Sequence, residues 1–192
     1  MRAFLTFLVF LVLTPVGVAA QTQDTTLGEP ILFGSDGIKK IRVSIAGMLD
    51  RFEQQKKTRV WKDTLKELEG KQHAQQVRVI NDLFNKMSYV GEATQHYATP
   101  AEFIEAGGDC EEFALSKLLL LREIEIEGLL LFVKIRATGQ DHAIAVVTLG
   151  ETLLGLDNRR EGLLTPKEIK KEYQILFAAD KHLSFFVFGS KQ

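Results

Sequence analysis

The chain has 192 residues, with 24 Lys+Arg against 25 Asp+Glu and a formal net charge of −1 at pH 7. This balance, without a dense basic patch, argues against a nucleic-acid-binding protein. The single cysteine excludes a disulfide within the chain.

The N-terminus has the pattern of an export signal. Arg2 supplies one positive charge, an apolar run extends from Ala3 to Leu13, and small residues end at Ala20. We expect a signal peptide at residues 1–20, cut after Ala20. An uncleaved anchor is the alternative, but the run is shorter than the roughly 20 residues that a spanning helix needs. No other stretch is predicted to span a membrane.

A polar leader, residues 21–36, precedes a region with helical spacing of apolar residues. Three helices are predicted here. Their inward positions are Ile45, Met48 and Phe52 in the first, Val60, Trp61, Leu65 and Leu68 in the second, and Val77, Ile80, Leu83 and Phe84 in the third. Trp61 is most simply a core residue, and the wall of a cleft is the alternative.

The only cysteine follows a turn signal. Gly107, Gly108 and Asp109 predict the start of a helix at Cys110, with Phe113, Ala114, Leu118 and Leu121 on its inward stripe. The first turn of a helix favours a thiolate. A lone cysteine is usually a small buried hydrophobe, but this position, and an unpaired thiol in an exported chain, favour a nucleophile.

Three carboxylates surround this cysteine. Asp109 and Glu112 have the spacing of a capping box, which leaves Glu111 unexplained. Together the three carboxylates should raise the pKa of the thiol. A bound cation would remove that conflict, and oxygen ligands suit calcium. On these residues alone, capping is favoured over calcium.

The second half of the chain is rich in strand patterns. Strands are predicted at 129–137, 142–148 and 153–156, followed by a short helix after the capping box Thr165–Glu168 and by two final strands, 176–177 and 183–188, joined at 179–180. Helices followed by an antiparallel sheet predict an α+β fold. We expect one domain over residues 37–192.

Two strand ends carry candidate catalytic residues. His142 begins one strand and Asp157 ends the next, so an antiparallel pair brings them to one sheet edge. With Cys110 they form a nucleophile, a general base and an orienting carboxylate. The structural alternatives are an incidental exposed histidine and an Asp-Asn turn. The other three histidines lack such a setting and are assigned no chemistry.

Four segments carry a family resemblance. They are Tyr97–Phe103, Gly107–Ala114, Asp141–Ala143 and Leu156–Asn158. These segments resemble the bacterial transglutaminase-like cysteine proteinases of the LapG type, and the likeness extends from about residue 61 to the C-terminal strands. It implies a papain-like/transglutaminase-like fold, with an N-terminal helical part packed on an antiparallel sheet.

The resemblance also implies a function. Members of this family are calcium-dependent periplasmic endopeptidases that cleave the N-terminal region of a large surface adhesin and so promote release from a biofilm. Calcium would bind Asp109, Glu111 and Glu112, and with the resemblance calcium becomes the favoured interpretation. An inner-membrane cyclic-di-GMP receptor of the LapD type would sequester the protease through a tryptophan, for which Trp61 is the candidate.

Two other functions remain open from the sequence. The same triad could catalyse transamidation, which would give a crosslink in place of two fragments. A non-catalytic exported calcium-binding or adaptor module would be unaffected by alkylation of Cys110.

Overall fold

The computed structural model describes residues 35–91, 97–180 and 185–187. The predicted signal peptide lies outside the described residues, as does the predicted leader except for its last two residues. Those two belong to the first helix, which begins at Ser35. Among the described helices, none is both long and apolar enough to cross a membrane.

Five helices come first along the described chain. Strands follow, with a sixth helix between the third and the fourth strand. The helices are α1 Ser35–Gln55, α2 Arg59–Lys66, α3 His73–Asn85, α4 Pro100–Ala106, α5 Cys110–Glu123 and α6 Pro166–Glu172. The strands are β1 Gly128–Ile135, β2 Asp141–Leu149, β3 Thr152–Leu156, β4 Tyr173–Asp180 and β5 Phe185–Val187. The two predicted capping boxes, before α5 and α6, are present, and Thr99 and Glu102 form another before α4.

The strands form one sheet in the order β3-β2-β1-β4-β5, and every neighbouring pair is antiparallel. The predicted α+β class is confirmed. β2 pairs with β1 as far as Asp141, but its pairing with β3 begins only at Ala145. The first residues of β2 therefore extend past the end of β3, and His142 lies in this overhang.

Helix α5 is the centre of the core. It packs on β1 and β2 on one side and on α3 and α4 on the other. Every residue from Glu112 to Leu121 is buried, so the predicted single inward stripe was too narrow. Neighbours cover the helix on several sides, so apolar residues are not confined to one stripe, and Glu112, Ser116 and Lys117 are buried with them. The opposite face of the sheet is covered in part by α6, through Ile169.

The end of the sheet differs from the sequence prediction. A break was expected at residues 179–180, but β4 continues through them and pairs Asp180 with Leu129 of β1. The prediction was wrong because the long central strand offers partners to the end of β4, and the small Ala178 and Ala179 fit the buried positions there. Only 185–187 of the predicted final strand lie within the described residues.

Gly107 fixes the turn that leads from α4 to α5. Its backbone has φ 79° and ψ −176°, a region that is essentially restricted to glycine. A Cβ at this position would lie 2.5 Å from the carbonyl oxygen of Ser88. That carbonyl accepts a hydrogen bond from the Gly108 N–H, and the Val90 N–H donates to the Gly108 oxygen at 2.8 Å. Residues 88–90 thus hold the turn immediately before Cys110.

We predict that Gly107→Ala lowers the free energy of unfolding by about 3 kcal/mol, because the new Cβ adds a steric clash to backbone strain. The matched control is Gly139→Ala in the β1–β2 turn. Gly139 also has a positive φ, 74°, but a Cβ there meets no atom within 4 Å, so we expect a loss of only about 1 kcal/mol. Urea unfolding measures both. Equal losses would show that the contact with Ser88 is unimportant.

Candidate active site

The first turn of α5 is held by the capping box that the sequence predicted. Asp109 Oδ1 accepts the Glu111 N–H at 3.0 Å, and Glu112 Oε2 accepts the Asp109 N–H at 3.1 Å. Glu112 is only 1% exposed, and its Oε1 also accepts the Ala98 N–H at 3.3 Å. Glu112 therefore connects the helix start to the segment that precedes α4.

Cys110 carries a free, partly buried thiol at this helix start. Burial, followed by the charges of Glu111 and Asp109, raises the pKa of the thiol to about 12. Hydrogen bonds from the backbone N–H groups of Ala143 and of Cys110 itself act in the opposite direction. The helix N-terminus alone was expected to favour the thiolate, and here burial and the two carboxylates outweigh it.

His142 and Asp157 form a buried pair at the overhang of β2. His142 Nε2 lies 2.9 Å from Asp157 Oδ1. Asp157 Oδ1 also accepts the Arg159 N–H at 3.0 Å, and its Oδ2 accepts the Tyr173 hydroxyl. Burial by itself raises the pKa of Asp157, but the hydrogen bonds from His142, Tyr173 and Arg159 outweigh it and hold that pKa below its usual range. Asp157 is therefore a charged acceptor for the imidazole.

The orientation of the imidazole follows from this pair. An anionic carboxylate only accepts hydrogen bonds, so Nε2 of His142 must carry a proton and donate its hydrogen bond to Asp157. In a neutral imidazole the other ring nitrogen, Nδ1, is then an acceptor. The ring also stacks on Tyr173, with 5.9 Å between the centroids. Since the Cys110 sulfur faces the N–H of Ala143, the next residue along β2, the fold brings Cys110, His142 and Asp157 to one sheet edge.

Within the described residues, one group of side chains has the spacing of a metal site. Ligand atoms of Asp109, Cys110 and Glu111 lie within 4.8 Å of one another. Two partly exposed carboxylates supply the oxygen donors that a hard cation such as calcium prefers. Glu112 is outside this group, since both of its oxygens accept backbone N–H groups. The donor chemistry therefore fits a cation at Asp109 and Glu111 and gives Glu112 a capping role.

Tyr89 flanks the thiol, which the sequence did not indicate. Its backbone bridges to Gly108, its ring stacks on Phe113 at 6.4 Å, and its side chain is 63% exposed. Partial burial and the negative charges at Cys110 and Asp109 raise the pKa of the phenol. Tyr89 thus presents an aromatic surface beside the Cys110 thiol. It belongs to a polar, turn-like segment, so no periodic signal marked it.

Tyr173 and Lys117 were also missed by sequence reasoning. Nothing in the sequence around Tyr173 indicates that its hydroxyl reaches Asp157. Lys117 did carry a signal, because it stands next to Leu118–Leu121 in a helix that is apolar on several sides, and a lysine is almost never fully buried unless it is paired. Of the histidines assigned no chemistry, His73 is an exposed residue at the start of α3 and the other two lie outside the described residues.

Trp61 lies in the core. Its side chain is 1% exposed and meets Phe52 edge-on, with 4.9 Å between ring centroids. The core interpretation that the sequence favoured is confirmed. The alternative prediction, that this tryptophan docks a partner, needs an exposed side chain and does not agree with this burial. Its neighbour Val60 is the exposed apolar residue on α2, at 40%.

Comparisons with known proteins place this geometry in a family. The family model described as bacterial transglutaminase-like cysteine proteinase matches residues 51–182. Among curated proteins, none matches the chain. Solved structures of Legionella pneumophila LapG share the fold. The calcium-bound form is 18% identical with a TM-score of 0.59 and covers 80% of this chain and 90% of that one. The EGTA-treated form is also 18% identical, with a TM-score of 0.61 and coverage of 85% and 89%.

We predict that Tyr173→Phe lowers the free energy of unfolding at neutral pH by about 1–3 kcal/mol, because a buried carboxylate loses one of its donors. The lost hydroxyl helps to depress the pKa of Asp157, so the variant should have a higher Asp157 pKa than the wild type.

The difference in stability should depend on pH. A carboxyl group with a lowered folded-state pKa contributes stability above its unfolded pKa of about 3.9, and that contribution is lost as the pH falls through the folded value. Urea unfolding from pH 7 down to pH 2.5 measures it. We expect the curves of the two proteins to converge at the acid end. A constant gap would mean that Tyr173 acts only through packing.

Proposed function

The chain belongs to the family of bacterial transglutaminase-like cysteine proteinases, and we propose that it is a calcium-dependent cysteine endopeptidase with Cys110, His142 and Asp157 as its catalytic triad. The observation that carries the proposal is the buried His142–Asp157 pair, 2.9 Å apart, next to the helix start that holds the chain's single cysteine. A nucleophile, a base and a group that orients the base are the parts that acyl transfer needs.

The reaction proceeds by acyl transfer to water. His142 Nδ1 accepts the thiol proton as the Cys110 sulfur attacks the scissile carbonyl, and the same proton then passes to the leaving amine. Water hydrolyses the resulting thioester, with His142 again as the base, and the free thiol returns. Asp157 keeps the imidazole in the tautomer with the proton on Nε2. The N–H groups of Cys110 and Ala143, which both face the sulfur, are the candidate donors to the developing oxyanion.

Calcium would be held by the carboxylates of Asp109 and Glu111. A bound cation supplies positive charge beside a thiol whose pKa these two carboxylates raise. Calcium takes six to eight oxygen ligands, so other oxygen donors, such as backbone carbonyls and water, would have to add to these two carboxylates. One of the LapG structures that share this fold is calcium-bound, which supports the choice of metal.

The substrate that the family resemblance supports is the N-terminal region of a large surface adhesin, cleaved in the periplasm after signal-peptide removal. The exposed ring of Tyr89 beside Cys110 offers an apolar contact for a side chain next to the scissile bond. A LapD-type cyclic-di-GMP receptor in the inner membrane remains the proposed regulator. Because Trp61 is buried, such a receptor would have to contact other residues of the helical part. Val60, which is exposed on α2, is a candidate contact.

We predict that the mature protein cleaves an adhesin N-terminal fragment from the same organism in calcium but not in a chelator. Cys110→Ala and His142→Ala should abolish cleavage, because each removes one reacting group, while circular dichroism shows the wild-type fold. The matched control is His73→Ala, which removes an exposed histidine at the start of α3 and should cleave normally. Electrophoresis of the products measures the outcome.

The same assay separates the other functions. A crosslinked product of higher mass in place of two fragments would identify a transamidase. An absence of both products in every lane, with no effect of Cys110 alkylation on any measured property, would favour a non-catalytic calcium-binding or adaptor module. Cleavage by Cys110→Ala would contradict the proposed nucleophile.

We predict different effects for the two neighbouring glutamates. Glu111→Gln should weaken calcium binding about tenfold, or ~1.4 kcal/mol, because one charged ligand is lost, with little change in stability. Glu112→Gln should mainly destabilise the fold, since Asp109 and Ala98 donate to different oxygens of Glu112 and an NH₂ group, which cannot accept, would replace one of them. Calorimetric titration with calcium and thermal unfolding measure the two effects. If the Glu112→Gln protein folds but binds calcium much more weakly than the wild type, Glu112 is a calcium ligand and the capping interpretation is incomplete.

A further inference from the structure

Lys117 is a fully buried cation two turns after Cys110 on α5. Its side chain is 0% exposed, a position that is costly for a charge without partners. Its Nζ donates to Asn81 Oδ1 at 3.0 Å and to Asn85 Oδ1 at 2.6 Å. Both asparagines belong to α3, so one amino group links the two helices through a pair of amide oxygens.

The amide nitrogens of these asparagines face the loop that contains Asp157. Asn85 Nδ2 donates to the carbonyl oxygens of Asp157 and Arg160, both at 2.9 Å. Asn81 Nδ2 donates to the Gly162 oxygen at 3.1 Å. Because backbone carbonyl oxygens only accept, each NH₂ group must face the loop, and each amide oxygen is then left to accept from Lys117.

On one side, Arg160 of this loop pairs with Glu168 and Glu172 of α6. The other side of the loop faces α3. There, residues 158–163 border an open cleft of about 960 Å³ between the loop and α3. Neither Cys110 nor His142 lines this cleft. The hydrogen bonds from Asn81 and Asn85 to the loop carbonyls therefore connect this side of the loop to α3.

Burial lowers the pKa of Lys117 to about 7, while the charges of Asp157 and Asp82 act against that shift. The change of protonation does not remove the network. An ammonium group has three N–H donors and a neutral amine has two, and the two asparagine oxygens need only two.

We propose that Lys117 is a positioning residue for the catalytic site, which orients Asn85 and through it holds Asp157 against His142. This inference rests on the proposed function, since it assigns Asp157 its role in the triad. Helix α5 would then carry the proposed nucleophile, Cys110, at its first residue. It would also carry Lys117, which positions Asp157 through Asn85, in its middle. A displacement of either end of the helix would move both groups together.

Two substitutions on α3 test this proposal against a purely structural role for the lysine. Asn85→Asp and Asn81→Asp both keep an oxygen for Lys117 Nζ, and both lose the NH₂ group that faces the loop. Asn85→Asp removes the donor to Asp157 and Arg160, whereas Asn81→Asp removes the donor to Gly162, five residues after Asp157. The two variants therefore make the same chemical change and differ in which loop carbonyls lose their donor.

The measurements are steady-state cleavage and the low-field proton resonance of the His142 Nε2–H that bonds to Asp157, identified by its loss in His142→Ala. For Asn85→Asp we expect kcat to fall roughly 10- to 100-fold, because misplacement of a catalytic group by about 1 Å has an effect of that size. KM should change little, and the resonance should shift or broaden. Asn81→Asp should stay within about twofold of the wild type, well below that loss.

An unchanged kcat and resonance in folded Asn85→Asp, or equal losses in the two variants, would overturn the positioning role. If Asn85→Asp does not fold, Asn85→Ser, which shortens the donor at a half-buried position, takes its place with the same expected outcome. A wild-type protein that cleaves nothing would contradict the proposed function alone. The resonance would still report whether Asn85 holds Asp157, so the two failures are distinguishable.

Discussion

The carboxylate of Glu112 holds the helix start at which Cys110 lies. A charged side chain this deeply buried would destabilise the fold if its oxygens had no donors. Its two oxygens accept N–H groups from Asp109, directly before α5, and from Ala98, before α4. Charge-assisted bonds of this kind are among the stronger ones in proteins. They fix the first turn of α5 relative to the segment before α4, and the Gly107 turn between the two helices has no freedom left for a side chain.

This arrangement separates two groups of charges. Asp109 and Glu111 act on the thiol and raise its pKa together with burial. Lys117 interacts with Asp157 and Asp82, and it is not among the groups that influence Cys110. When His142 takes the thiol proton, the sulfur becomes negative next to these two carboxylates, which oppose that charge. A cation bound by Asp109 and Glu111 would offset their effect, whereas the imidazole and its carboxylate partner are held by protein groups alone.

The sequence predicted the parts of this site that local rules govern. Capping boxes depend on residues three apart, so the starts of α4, α5 and α6 were predictable, and strand ends placed His142 and Asp157 at one sheet edge. Burial depends on what surrounds an element, which is why α5 was given one apolar stripe when neighbours cover it on several sides. Contacts between distant segments, such as Tyr173 with Asp157 or Asn85 with the same residue, follow from the sheet order. No local pattern encodes that order.

The different roles of Glu111 and Glu112 show how neighbouring, chemically identical residues diverge. A helix rotates by about 100° per residue, so adjacent carboxylates in the first turn of α5 point in different directions. Glu112 points back into the protein and meets the orphan N–H groups of two segments, while Glu111 remains partly exposed beside Asp109. Residues that neighbour each other in an acidic motif therefore do not share a direction. The geometry of the first helical turn buries Glu112 in its capping contacts and leaves Asp109 and Glu111 partly exposed.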